Sequence, residues 1–498
     1  MATAQAADST DEKRARGASA SLRDYVTGPR LAVAAAGAVA ATLMLVSLGA
    51  RPLWFDELVS VEAARLPFTS LARYVSSTET NMGLYHVLLH AWLGLGSSDV
   101  LARSLSVVFG LATLPVVYAL ARRLFDVRVG LVSVALLSVN VSYVAYAREA
   151  RGYSLVLLLA TASSYFLVAA VQDDKPAQWA LYGISSALAI YAHFFAGLVV
   201  VAQLASLLAI RRVVPWRRVL ASVAGIVALV APAAVAVAVN RQGGQIDWLP
   251  RPGLQQLPGL LDWFTQSATV DLLFVAAAIL ALSAMVADRR AHGASFELWR
   301  YALLLAWLVV PAALAFVVSF ATPVYLYRYF LPSLPALIVL VAAGLTRLGR
   351  VWLLAPALLV VVGFSTRTVV ACTPGCELRN DDWRSAAAYV EAHARPGDAV
   401  FFDPGELKTP FAHYLGDDPV RLRLVYPSRW RLVGGRAVGA TSVRGGLAGA
   451  AGYRRVWLVT WWLPQGDVPA ALGRNRVVTT AREFTGNVRI RLYERSSS

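Results

Sequence analysis

The chain has 498 residues, 57% hydrophobic and only 15% charged, with a mean hydropathy of +0.56; this balance excludes an ordinary soluble domain and marks a polytopic membrane protein. A net charge of +16 would invite a nucleic-acid partner in a soluble chain. In a membrane chain cations are read first as topology signals, and their placement here decides against nucleic acid.

Residues 1–29 are polar, with Ala, Ser and Gly interspersed, and are expected to form a disordered cytoplasmic tail. The apolar run at 31–50 is about the ~20 residues a bilayer core requires. Leu48-Gly49-Ala50 lacks the small residue wanted three positions before a cleavage site, so the run reads as an uncleaved signal anchor. "RPLWFDELVS" then sets Asp56 and Glu57 at its mouth. Asp56 has a plain reading as the cap of a helix beginning at Glu57, whose own charge suits the positive helix end. The loop continues with "LVSVEAARL" and "SLARYVSS", amphipathic and too short to span, and with "NMGLYHVLLHAWLGLG", which carries His86 and His90. The first two are expected to lie in the membrane interface and the third to form an interfacial or re-entrant helix, and a long outer loop of such helices suggests a site at the surface.

Further apolar runs centre on 101–121, 129–146, 153–171, 178–193, 194–210, 219–239, 271–287, 301–320, 330–346 and 351–370, so about eleven spans are expected by length. "KRARG" with Arg23, "ARRLFDVR", Lys175, "RRVVPWRR", "DRRAHG" with Arg300, and "RLGR" fall in alternate connections. The positive-inside rule puts these in the cytoplasm and the remaining connections, with everything after about residue 371, outside.

On that outer side, "YAREARGYSL" brings Arg148, Glu149, Arg151 and Tyr153 to one short turn. Its arginines can anchor to lipid headgroups, and they equally suit a phosphate, which a guanidinium fork grips in bidentate fashion. His193, in "IYAHFFAGL", sits where two short spans turn around; a polar ring there wants a cavity or a bundle partner. Arg328 lies among Tyr325, Tyr327 and Tyr329, which also read as interfacial belt residues. Cys372 and Cys376, in "ACTPGCE", favour a small disulfide loop in an oxidising compartment over a zinc site, which would need two more ligands. From about residue 371 the pattern changes: "DDWRSAAAYVEAHARPGDAVFFD" runs from an Asp cap through an amphipathic helix into a short strand, and "RRVWLVTWW" and "NVRIRLYER" read as further strands. Residues 371–498 are therefore expected to form a small extracytoplasmic α/β domain on a helical membrane body, 30–370.

Acids from the first outer loop, arginines from later turns and a histidine would together serve chemistry on an anionic lipid, in which cations hold a phosphate and a carboxylate deprotonates an attacking hydroxyl. At these residues the sequence resembles the GT-C class of integral-membrane glycosyltransferases, in particular the bacterial branch related to protein O-mannosyltransferases and the RgtA/B/C/D-like domain. The resemblance rests on the order and spacing of "WFDE", "GLYHVLLHAWLGLGSSDVLARSLSVVFGLATLPVVYALARRLF", "YAREARGYSL", "YAHFFAGLVVVAQL" and "YRYFLPSLPALIVLVAAGL". Relatives usually carry a Pro-rich "PPLYY" stretch where this chain reads "TETNMGLYH", a departure on the acceptor side.

The resemblance implies a bundle of many helices and a sugar donor carried on a polyprenyl phosphate, transferred with inversion to an acceptor hydroxyl on the extracytoplasmic face. Asp56, with Glu57 beside it, is the implied catalytic acid pair. Arg148, Arg151, Tyr153, His193 and Arg328 are the substrate-binding candidates. Mannose is the family-weighted sugar, with a pentose behind it, and the acceptor is a protein, a glycolipid or a polysaccharide. Arginine can stabilise a monophosphate leaving group without a cofactor, and a divalent metal, were one used, would take Asp56 and Glu57 as ligands. The alternative class is a transporter or flippase for a lipid or lipid-linked sugar. It predicts repeated halves with matched helix breaks; Pro232 and Pro311 interrupt spans without such symmetry. A sensor or scaffold built on the outer domain would leave the loop acids without a purpose.

Overall fold

The computed structural model describes residues 28–240, 249–292, 295–375, 381–415, 422–426, 442–461 and 467–495. Residues 1–27 of the expected tail and the Cys372–Cys376 bridge lie outside the described side chains.

The membrane body opens with α1 (Gly28–Leu45). The first loop folds into α2 (Phe55–Ala64), α3 (Phe68–Ser77) and α4 (Gly83–Leu93). Next come α5 (Asp99–Leu124), α6 (Val127–Ser138), α7 (Val141–Ala147), α8 (Tyr153–Asp173), α9 (Pro176–Ala192), α10 (Ala196–Ser206) and α11 (Trp216–Val239). After α12 (Gln256–Thr265), a short helix, come α13 (Ala268–His292), α14 (Phe296–Val318), α15 (Leu334–Thr346) and α16 (Val351–Gly375). Among the described residues 8 helices are long and apolar enough to cross a membrane, or 9 if α6 and α7, bent by 61° at their junction, form one broken span. The apolar runs at 178–193 and 194–210 are helical as expected, but α9 has 17 residues and the α10 segment is also short, so they fall below spanning length and the count of eleven is not reached by that criterion.

The break between α6 and α7 is well satisfied. Asn140 caps α7 by accepting from the Tyr143 amide at 3.0 Å, and its side-chain amide donates to the Phe264 carbonyl at 2.9 Å. The Ser142 hydroxyl donates to the Trp263 carbonyl at 2.6 Å. Broken helices are tolerated at membrane depth only when neighbouring protein satisfies the freed backbone in this way. At the centre of the body every residue of α15 from Leu334 to Leu345 is buried, as an all-round apolar helix must be. A Cβ on Gly344 would lie 1.8 Å from the Ala277 carbonyl oxygen; the missing side chain lets the α13 and α15 backbones touch, the usual device where helices pack without a hydrophobic drive. By contrast α11 leaves Leu220, Val227, Val235 and Val239 exposed, an apolar face suited to lipid.

The C-terminal residues form α17 (Trp383–His393), β1 (Asp398–Asp403), α18 (Lys408–Tyr414), β2 (Leu422–Tyr426), α19 (Val443–Ala450), β3 (Arg455–Trp461), α20 (Val468–Gly473), β4 (Val477–Phe484) and β5 (Val488–Glu494). The five strands make one sheet in the order β2-β1-β3-β5-β4. β2, β1 and β3 are parallel, joined through helices, while β5 runs antiparallel to β3 and to β4. Asp382 caps α17 by accepting from the Ser385 amide at 3.0 Å, as its sequence predicts. At the other end of the body the basic connections meet acids: Arg123–Asp173 at 3.1 Å, Arg218–Asp174 at 2.8 Å and Arg300–Asp288 at 2.8 Å.

Candidate functional site

Helix α2 starts one residue before Asp56, and its cap is Trp54. The Glu57 side chain, at the third helical position, reaches back to the Trp54 amide at 3.2 Å, the return arm of a capping box. Capping therefore falls to Glu57 and not to Asp56. Glu57 is wholly buried and does more than cap. Arg103 from α5 grips both its oxygens, Nε to Oε1 at 2.8 Å and Nη2 to Oε2 at 2.7 Å, while the Ala150 amide donates to Oε1 at 2.8 Å. The remaining Arg103 hydrogens go to the carbonyls of Leu48, Arg51 and Pro52. This bidentate pair ties the end of the first helix, α2, α5 and the 148–152 turn into one unit.

Asp56 points elsewhere, its side chain 23% exposed and its Oδ2 lying 3.2 Å from Arg328 Nη1 and 4.0 Å from Arg151 Nη2. Arg151 is held by the Ser60 hydroxyl at 2.8 Å and the Asp56 carbonyl at 3.2 Å, with Glu79 Oε1 3.9 Å away. Burial works against its charge, and Asp56 and Glu79 outweigh it, holding the guanidinium above its ordinary pKa. Arg328, in the short 3₁₀ turn before α15, is buried with its guanidinium against the rings of Trp54 (5.7 Å) and Tyr329 (5.8 Å). The His193 ring lies 4.9 Å from that of Tyr329 and 6.0 Å from that of Tyr153.

Four of the residues singled out from the sequence, Arg151, Tyr153, His193 and Arg328, thus gather around Asp56. Arg148 is buried in the same turn and donates to the Val46 carbonyl at 2.9 Å, tying the turn to the end of the first helix. Of the loop histidines, His90 Nδ1 lies 2.7 Å from the Ala64 carbonyl and joins α4 to α2. His86 is fully buried, edge-on to Tyr74 and Tyr85, with burial holding its pKa down and neither ring nitrogen hydrogen-bonded.

Three participants have no clear sequence signal. Glu79, accepting from the Tyr74 hydroxyl at 2.7 Å, is a second acid at the Arg151 guanidinium. Ser60 orients Arg151, and Arg103 fixes Glu57. A lone acid or serine in a polar loop resembles any solvated loop residue. Arg103, one helical turn inside a span, carries the only available hint, since a charge there needs a partner.

The chemistry of the cluster follows from its unmade bonds. Arg151 Nε, Arg328 Nε and Nη1, the Tyr153 hydroxyl and His193 Nε2 are buried without a hydrogen-bond partner. The close approach of Arg328 Nη1 to Asp56 is an ion pair and not an aligned hydrogen bond. Because His193 Nδ1 accepts from the Phe195 amide at 3.2 Å, a neutral ring carries its proton on Nε2. All five atoms are therefore able to donate, and buried donors left unpaired are costly. A group rich in acceptor oxygens and bearing negative charge fits them. Among the described residues no three His, Cys, Asp or Glu side chains gather as a metal site.

Comparison with known proteins bears on the fold. The sequence profile of the dolichyl-phosphate-mannose-protein mannosyltransferase family matches residues 95–237. No curated protein sequence matches the chain. Among solved structures, ArnT from Cupriavidus metallidurans in the apo state is similar at a TM-score of 0.64 and 17% identity, covering 94% of this chain and 98% of that one. The same protein bound to undecaprenyl phosphate gives 0.61 and 14%, with 93% and 98% covered. The archaeal oligosaccharyltransferase AglB from Archaeoglobus fulgidus, in complex with an inhibitory peptide and a dolichol-phosphate, gives 0.51 and 12%, with 95% and 75% covered. With a helical membrane body, three short helices after its first helix and a small sheet domain at its C-terminal end, the chain shares the fold of these structures, the GT-C fold its sequence resembles.

Proposed function

We propose that this protein is a polyprenyl-phosphate-sugar-dependent glycosyltransferase that works with inversion on the extracytoplasmic face of the plasma membrane, its N-terminus cytoplasmic. The observation that carries the reading is the set of buried donors around Asp56 that make no hydrogen bond, which suits a phosphate at the lipid end of a donor. ArnT and AglB, whose folds are similar, have been solved with undecaprenyl phosphate and dolichol-phosphate. Mannose is the sugar favoured by the matching family profile, and the acceptor is any hydroxyl that can approach from outside. In the reaction the acceptor oxygen attacks the anomeric carbon and loses its proton to the Asp56 carboxylate. The bond from that carbon to the phosphate oxygen breaks on the opposite side, and polyprenyl phosphate leaves with its charge held by Arg151 and Arg328. Glu57, enclosed by Arg103, positions the helix that carries the base. The supporting features of the orientation are the basic connections collected at the far end of the body.

The test is release of polyprenyl phosphate from a panel of polyprenyl-phosphate sugars in membranes, comparing wild type with Asp56→Asn at matched expression. Release by the wild type with one sugar preferred, and a loss of about 10²–10⁴-fold in the variant, is expected for a positioned base. Equal activity of the two would remove Asp56 from the chemistry, and no release from any donor would remove the transferase reading.

A further inference from the structure

The C-terminal domain touches the membrane body at the helix that carries Asp56. The Leu53 amide, just ahead of α2, donates to the Tyr414 hydroxyl at 2.7 Å. At the far end of α2, His413 Nδ1 lies 2.8 Å from Glu62 Oε1, and its Nε2 lies 3.2 Å from Asp99 Oδ1 at the start of α5. Asp99 Oδ2 in turn accepts from the Tyr414 hydroxyl at 2.9 Å and from Arg384 of α17 at 3.0 Å. Between the two ends the Phe55 ring stacks on Trp461 of β3, with 5.6 Å between centroids and 19° between planes. So α2 is gripped before its first turn, on its first residue and in its last turn, and Asp56 lies inside that grip.

The His413 ring is nearly enclosed, its side chain 5% exposed. The charged and titratable groups around it are Glu62 on α2, Arg65 just beyond its end, Asp99 on α5, Arg384 on α17 and Tyr414 on its own helix. Both ring nitrogens face carboxylates, and only an imidazolium donates from both. Arg65 Nη1 is 3.1 Å from Nδ1 but donates to Glu62 Oε1 at 2.9 Å, so Glu62 takes a hydrogen from each.

We propose that His413 and Tyr414 are positioning residues for the transfer reaction: by holding α2 at both ends they fix the Asp56 carboxylate against the Arg151 and Arg328 guanidiniums. The inference rests on the transferase reading above and assigns the extracytoplasmic domain a part in it. Burial alone would lower the His413 pKa, but the hydrogen bonds to Asp99 and Glu62 outweigh it and hold the ring above its ordinary value. Glu62 is held below its ordinary value, since the interactions with His413 and Arg65 outweigh its own burial. The sign follows: the clamp is complete below the ordinary imidazole value and is lost as pH rises through the raised one. On the acid side it fails only below the ordinary carboxylate range.

The experiment measures polyprenyl phosphate release by the full chain in nanodiscs over about pH 5 to 9, a range that brackets imidazole titration. Wild type is expected to lose kcat on an alkaline limb whose midpoint lies above that of free imidazole. His413→Gln should lower kcat by roughly 10–100-fold, the scale of a misplaced reacting group, with donor KM unchanged and the alkaline limb gone. His413→Lys, a fixed cation, should recover much of kcat and stay flat across the limb. Tyr414→Phe should lower kcat without moving the limb, and it carries the test if His413→Gln does not accumulate. Hydrogen exchange of the α2 amides is followed in parallel, and faster exchange in His413→Gln is expected. Wild-type kcat and an unmoved limb in His413→Gln would overturn the proposal. If no donor is turned over by the wild type, the transferase reading fails by itself, and equal α2 protection in wild type and His413→Gln would then overturn the clamp as well.

Discussion

On an α-helix successive side chains point about 100° apart, so Asp56 and Glu57 serve different neighbours although they are adjacent in the chain. One turns to a half-open cluster of guanidiniums, the other to a closed one. The sequence holds no mark that separates them, because both are acids at the start of the same helix. The arginines, His193 and Tyr153 are better marked. Each is a polar group in or beside an apolar run, where placement without a partner is expensive, and the structure brings them to one point. Arg328 offers the direct check on the phosphate side. Arg328→Ala removes charge-assisted hydrogen bonds worth roughly 1.5–3 kcal/mol, so donor binding should weaken by about 10–100-fold while the bundle stays folded. A donor titration on the purified variant measures this, and unchanged affinity would take Arg328 out of the phosphate contacts.

At the scale of elements, the loop after the first helix is held by a buried charge pair as well as by apolar packing through Leu58, Val61 and Leu89. Helix α2 has 10 residues, too few to be stable alone; the Arg103–Glu57 bridge holds it to α5 and to the 148–152 turn. Removing one partner of a buried pair strands the other charge, which typically costs about 3–5 kcal/mol. Arg103→Met should therefore lower the thermal midpoint in detergent sharply, whereas a conventional surface pair such as Arg489–Glu483 should be nearly neutral when broken. Similar midpoints for the two variants, followed by tryptophan fluorescence, would show that the bridge is dispensable. That the three first-loop segments are helices too short to span was legible from their length and pattern. Their tertiary ties were not, since the partners of Arg103 and Tyr414 are set by contacts of long sequence separation that no local period encodes.

At the scale of the whole molecule, most spans were legible because twenty apolar residues leave few alternatives, and β1, β3 and β5 because their apolar and aromatic runs stand out, whereas β2 and the largely exposed β4 carry no such run and were not read as strands. Less legible was where that domain would sit. Its docking uses His413, Tyr414 and Trp461, which look in sequence like ordinary surface and strand residues. The domain also carries an internal cost. Asp403, at the end of β1, is buried with Oδ2 unpartnered, and burial, followed by the charge of Glu406, pushes its pKa up to about 6 from 3.8. Between those values the folded chain keeps a proton that the unfolded chain has released, so stability falls as pH rises through the interval. Asp403→Asn should raise the thermal midpoint at neutral pH and remove this share of the slope, and an unaltered slope would show that the carboxyl is already accommodated. The bond between Leu53 and Tyr414 spans 361 residues of chain. Since a polypeptide is made from its N-terminus, the loop bearing Asp56 is threaded into the membrane long before its restraint has been synthesised. On the proposed reading, transfer reaches its full rate only once the C-terminal domain has folded against α2, so a half-made copy lacks the restraint that aligns its base.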